Sequence, residues 1–120
     1  MQDQAVAQAV AGVLWEHKAQ NIIVLDVRHL TSIADYMVIA SGRNANQVKA
    51  LADFVDDKMA ELGQTPIRTE GMNDGHWCIM EYDSCLVELF HQEEREFYRL
   101  ERLWEDGANR VPLPFDQTKE

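Results

Sequence analysis

Cysteine is scarce in this chain: two in 120 residues, Cys78 and Cys85. That excludes a disulfide-stapled scaffold and a CxxC metal site. Basic residues are also few, 11 Lys and Arg against 21 Asp and Glu, for a net charge of −10. A broad basic face for nucleic acid is excluded, because phosphate neutralisation dominates that kind of affinity. Little direct nucleic-acid contact is therefore expected, and a basic protein partner fits the charge better. No apolar run approaches the roughly 18 residues of a membrane helix. The start, MQDQAVAQAV, lacks a basic n-region or an Arg-rich transit pattern, so a cytoplasmic protein with no membrane partner is expected. There are six glycines, without a Gly-rich phosphate fingerprint or a P-loop lysine.

What is present is a pattern of alternating elements filling one domain, assigned to residues 1–106. Val6, Ala9, Val10, Val13, Leu14 and His17 mark one face of a helix over residues 4–18, with Asp3 as cap and Asn21 as stop. Ile22–Val27 is a β-branched strand and Asp35–Ser41 a second. The link between them is too short for a helical crossover, so they pair antiparallel. Asn44, with Gln47 in the capping-box position, opens a helix over 45–62. Its stripe is Val48, Leu51, Ala52, Val55, Met59 and Leu62, and Gly63 is its stop. Pro66–Glu70 returns as a strand, and such a crossover normally gives parallel pairing. A helix over 92–105 has Glu93 and Glu94 in its first turn and Phe97, Leu100, Leu103 and Trp104 on its apolar side. From Gly107, with Pro112 and Pro114, an irregular, mobile tail over 107–120 is expected. The order predicts an α+β fold: a mixed five-stranded sheet with helices mainly on one face.

The most informative stretch is the hairpin HWCIMEYDSCLVELF. A two-residue turn at Asp83-Ser84 pairs Tyr82 with Cys85, Met80 with Val87, Ile79 with Glu88, Cys78 with Leu89 and Trp77 with Phe90. The two cysteines then lie three pairings apart, beyond the ~7 Å Cα limit of a disulfide, and read as reduced core residues. One hairpin face, Cys78, Met80, Tyr82, Cys85, Val87 and Leu89, is core. The other carries Trp77, Ile79, Glu81, Leu86, Glu88 and Phe90. Two carboxylates argue against deep burial there, yet the apolar surface is too large for an idle solvent face. Two readings follow: a docking surface for a basic partner, or a face covered by a helix of the same chain with the Glu side chains at its rim.

Other chemistry is thinly represented. Ser41-Gly42, between a strand and a helix, reads as a turn. His17, His29, His76 and His91 are scattered; only His76 and His91 come together, at one hairpin end, so no metal or cofactor is assigned. Glu81 and Glu88 share a face without being directly opposite, and Asp56-Asp57 reads as a solvated pair. No base adjoins a cysteine or serine nucleophile, so no catalytic residue is assigned. Arg95, Arg99 and Arg102 form a helical stripe, read as paired with neighbouring glutamates.

The run LDVRHLTSIADYMVIASG, Gln47 and its helix, then EG, HWCIMEYDSCLVELF and EREFYRLERLW resemble the ribosomal silencing factor, or Iojap-related, family, from about Ala5 to Trp104. The resemblance implies an α+β fold of nucleotidyltransferase-like topology without the catalytic equipment. It implies binding to the large ribosomal subunit through its protein number fourteen, steric exclusion of the small subunit and repression of translation. Organellar relatives assist large-subunit assembly. Three departures from the family pattern fall on or beside the second hairpin face: Glu81 for a common Asp, Asp83-Ser84 for a Gly-Asp turn, and Glu88 for a common His. The alternatives are a small nucleotidyltransferase-like enzyme using Ser41-Gly42 with a carboxylate pair, and an RNA-binding assembly factor using the Arg stripe. The free protein is expected as a monomer or homodimer.

Overall fold

The computed structural model describes residues 3–93 and 101–115, with the side chains of residues 101 and 103 excepted. Its elements are α1 (Asp3–Glu16), β1 (Gln20–Asp26), β2 (Tyr36–Gly42), α2 (Ala45–Glu61), β3 (Arg68–Glu70), β4 (Trp77–Glu81), β5 (Cys85–His91) and α3 (Glu101–Trp104). The expected α+β fold is found: a mixed five-stranded sheet in the order β1-β2-β5-β4-β3, with α1 and α2 packed on one face. Residues 92–93 and 101–104 are helical, whereas the middle of the expected helix, with Phe97, Leu100, Arg95 and Arg99, lies outside the described residues.

Helices α1 and α2 each end where a residue turns left-handed. Lys18 takes φ 71°. Its N–H bonds to the Trp15 carbonyl and that of Ala19 to the Leu14 carbonyl, a Schellman stop. Asn21 was expected to stop α1. It instead sits at φ 51° in a bulge, where the β1–β2 register shifts between Gln20 and Ile23. Gly63, at φ 75°, closes α2 in the same way, with Gln64 N–H bonded to the Met59 carbonyl. At the start of α2 the Asn44 side chain accepts from Gln47 N–H at 2.8 Å. The Gln47 side chain accepts in turn from Arg43 N–H at 2.6 Å, one residue earlier than a standard capping box.

β1 and β2 are antiparallel neighbours, as expected. The parallel partner of β2 is β5, and β3 lies at the far edge, antiparallel to β4. The crossover through α2 therefore does not pair its own two strands; the hairpin is inserted between them. The physical reason is burial. All seven residues of β2 are buried and five of the seven in β5, whereas the three residues of β3 are exposed and suit only an edge.

Two layers of core result. Val6, Ala7, Val10, Ala11 and Leu14 of α1 and Val48, Leu51, Ala52, Val55 and Met59 of α2 pack on Val24, Val38, Cys78, Met80, Val87 and Leu89. Tyr82 joins them and donates its hydroxyl to Asp56 at 3.2 Å. On the opposite face Ile23, Leu25, Val27, Met37, Ile39 and Phe90 form a smaller cluster, joined by the half-buried Trp77, Leu86 and Trp104.

The segment from Gly107 was expected to be mobile. Its described residues are irregular in conformation, yet they are docked. Leu25 and Arg110 form an antiparallel bridge, Asp26 N–H bonds to the Asn109 carbonyl and Val111 N–H to the Val24 carbonyl, each at 2.8 Å. Phe115 stacks on Trp15 with ring centroids 4.7 Å apart. The physical reason is the edge of β1, which needs backbone partners that these residues supply. His29 and Asp106, 2.6 Å apart, add a side-chain clasp. The Ala108 N–H, and then His29, hold the Asp106 carboxyl below the usual carboxylate range.

Candidate functional site: the outer face of the hairpin

The tight turn at Asp83-Ser84 is present: Tyr82 N–H bonds to the Cys85 carbonyl at 2.9 Å. The ladder pairs Trp77 with Phe90, Cys78 with Leu89, Ile79 with Glu88 and Met80 with Val87, as the sequence pattern predicts. This register sorts the side chains between faces.

Registers across the sheet lay out the outer face as rows. One row runs Leu25, Met37, Leu86, Glu81 and ends at Arg68 on β3. The next runs Ile23, Ile39, Glu88, Ile79 and ends at Glu70. In a third, Phe90 and Trp77 stand side by side with ring centroids 5.1 Å apart and planes inclined by 24°.

The face is graded in exposure from one side to the other. Toward β1 it is buried. Phe90 is 1% exposed and Glu88 6%. The expectation that two carboxylates keep this face from deep burial therefore fails at Glu88. It stands on a strand flanked on both sides, between Ile39 and Ile79 in its row, where neighbours exclude water. Phe90 likewise serves packing more than surface. Toward β3 the face opens: Trp77, Ile79, Glu81 and Leu86 are each half-buried. The face is thus buried toward β1 and open toward β3.

Arg68 borders the open half, 3.5 Å from Glu81 and 3.6 Å from Glu70. Sequence reasoning missed this bracket, because the pairing of β3 with β4 decides it. It also missed Trp104 as a member of the outer cluster. The signal available was the apolar side of the last helix, but not which sheet face it meets.

Behind the open half, Gly71 fixes the approach to β4. It has φ 75°, and a Cβ there would lie 1.9 Å from the Trp77 carbonyl oxygen. Only glycine fits so close a backbone approach. Ser41-Gly42, read from the sequence as a turn, instead closes β2, and a Cβ on Gly42 would come within 2.8 Å of the Val48 side chain, so this glycine serves strand–helix packing.

The remaining candidates hold little chemistry. Burial pushes the Cys85 thiol up to about 12 and the Cys78 thiol up to about 11, so neither offers a thiolate near neutrality. Both are free. His76 and His91 meet edge to face with centroids 6.0 Å apart. Among the described residues no group of three or more His, Cys, Asp or Glu side chains could hold a metal ion. Arg102 is exposed on α3. No helix among the described residues is long and apolar enough to cross a membrane.

Comparison with known proteins gives the family. The sequence profile of the family described as RsfS, ribosomal silencing factor during starvation, matches residues 1–120. The ribosomal silencing factor RsfS of Bacillus subtilis is 30% identical over 107 residues, covering 89% of this chain and 91% of that protein. That of Zymomonas mobilis is 34% identical over 104 residues, covering 87% of this chain and 78% of the relative. A crystal structure of a Chromobacterium violaceum protein superposes with a TM-score of 0.84 at 30% identity, covering 99% of this chain and 98% of that one. The acidic α+β domain with its half-open apolar hairpin face belongs to the ribosomal silencing factor family.

Proposed function

We propose that this chain represses translation by occupancy. It docks on the large ribosomal subunit through the open half of the outer hairpin face and covers surface that the small subunit needs for joining. The partner there is a basic protein of the large subunit, the one numbered fourteen. The protein acts in the cytoplasm, without turnover, cofactor or extensive RNA contact. The observation that carries the reading is the juxtaposition of Trp77, Ile79 and Leu86, half-buried, with Glu81 at their border. Aromatic and aliphatic anchors beside placed acids are the composition of a hot spot for a basic surface. The net charge of −10 supports it by speeding encounter with such a partner.

Sedimentation with separated ribosomal subunits is the test. The protein is expected to pellet with large subunits and stay in the supernatant with small ones. It should also lower the yield of joined ribosomes when added before the small subunit. Equal binding to both subunits, or to neither, overturns the reading.

A further inference from the structure

Trp104 lies on the same outer face as Trp77 and Leu86, packed on the cluster that contains Leu25, Met37 and Phe90. It stands at the end of α3, half-buried, so part of the indole remains at the surface. The backbone at this point is tied down by the side chain of Asn109. The Asn109 amide nitrogen donates to the Trp104 carbonyl at 2.8 Å and to the Asp26 carbonyl at 3.0 Å. Its amide oxygen accepts from Asp106 N–H at 2.9 Å, and its backbone carbonyl accepts from Asp26 N–H. One side chain, 7% exposed, therefore ties the end of α3 to the end of β1 and uses both of its donors to do so. An aspartate in its place would keep the volume and lose both donors.

Resting on the docking reading above, we infer that Asn109 is a positioning residue for the ribosome-binding face, and that it acts through Trp104. The face extends past the hairpin to Trp104, and the clasp fixes where that indole stands. The occupant is the same basic large-subunit protein. Acidic side chains continue along this flank: Glu105 follows Trp104 directly, pairs with Arg110 and is half-buried, and Asp106 next to it is exposed. The sequence therefore repeats at Trp104 the pairing of an aromatic anchor with neighbouring acids found at Trp77 and Glu81. Losing the clasp frees the indole to leave the face, and an anchor that must be re-ordered on binding costs affinity.

A double-mutant cycle on binding to isolated large subunits tests this, with thermal unfolding of every variant measured alongside. Trp104→Ala is expected to weaken binding roughly fivefold or more, and Asn109→Ala by a similar factor. The double variant should bind no worse than Trp104→Ala alone, because Asn109 has nothing left to position. Should Asn109→Ala fold poorly, Asn109→Asp takes its place in the cycle. Binding by Trp104→Ala equal to that of the parent chain overturns the inference. So does a double variant whose loss is the product of the two single losses, since Asn109 would then act independently of Trp104. If the parent chain itself fails to bind large subunits while remaining folded, the docking reading is what fails, and this inference with it.

Discussion

Trp77→Ala is expected to weaken binding to isolated large subunits roughly tenfold or more, equivalent to ~1.4 kcal/mol or more. The indole is the largest side chain of the open half of the face, and it is half-buried. Its stack on Phe90 fixes its orientation, so it meets a partner with little ordering cost. Truncation also removes that stack, worth about 0.5–1.5 kcal/mol, so a modest fall in melting temperature should accompany the loss of affinity. Val87→Ala is the control. Val87 is fully buried against the helices on the opposite face, and the change should lower stability through a small cavity while the folded fraction binds normally. A folded Trp77→Ala variant that binds like the parent would remove the hairpin from the docking surface. Loss of binding by a fully stable Val87→Ala variant would mean that the helical side faces the ribosome.

Phe90→Ala is expected to cost about 3–5 kcal/mol of stability, the range for emptying a buried aromatic site. Phe90 is 1% exposed and closes the smaller cluster with Ile23, Leu25, Met37 and Ile39. Against a total of roughly 5–15 kcal/mol for a small domain, that loss unfolds a visible fraction at growth temperature. Denaturant titration measures it directly. Glu88→Lys should behave in the same way, because it exchanges a carboxylate that is 6% exposed for a longer group of opposite sign. A Phe90→Ala variant of parental stability but without binding would return Phe90 to the docking surface and show that the cluster over β1 and β2 opens in solution.

Much of this was legible because local chemistry and tertiary context agree in the hairpin. Asp83-Ser84 is a short polar break between two apolar runs, and once the turn is placed every partner from Trp77 to Phe90 follows by counting. Asn44, Gln47 and Gly63 mark the ends of α2 for reasons that operate within a few residues. The outer face was harder. Alternation places Glu81 and Glu88 on one face and says nothing about the depth of each. Position in the sheet decides it: Glu81 pairs toward the edge strand and Arg68, whereas Glu88 lies on β5 between two neighbours. The position of β3 was illegible for the same reason, since a crossover fixes strand direction more firmly than which strand becomes the neighbour. The segment Gly107–Phe115 carries no periodicity, and its prolines suggest only punctuation. Its place is set by a vacancy in β1, more than 80 residues earlier in the chain, as the Asn109-to-Asp26 contact illustrates.

The contact between Arg110 and Leu25 bears on solubility as well as on docking. β1 reads QNIIVLD, an apolar, β-branched segment of the kind that templates intermolecular pairing when its backbone groups are unclaimed. The bridge at Leu25 and the flanking bonds at Val24 and Asp26 claim them along much of that border. The opposite border is blunted differently, by a strand of three residues whose arginine is bracketed by acids. Neither margin of the sheet offers a long, bare template to another copy. A chain cut after Asp106 should therefore turn aggregation-prone before it loses its helices, which light scattering and circular dichroism recorded on the same heated sample would separate. On this view the C-terminal segment shields the β1 border of an apolar sheet from other copies of the chain.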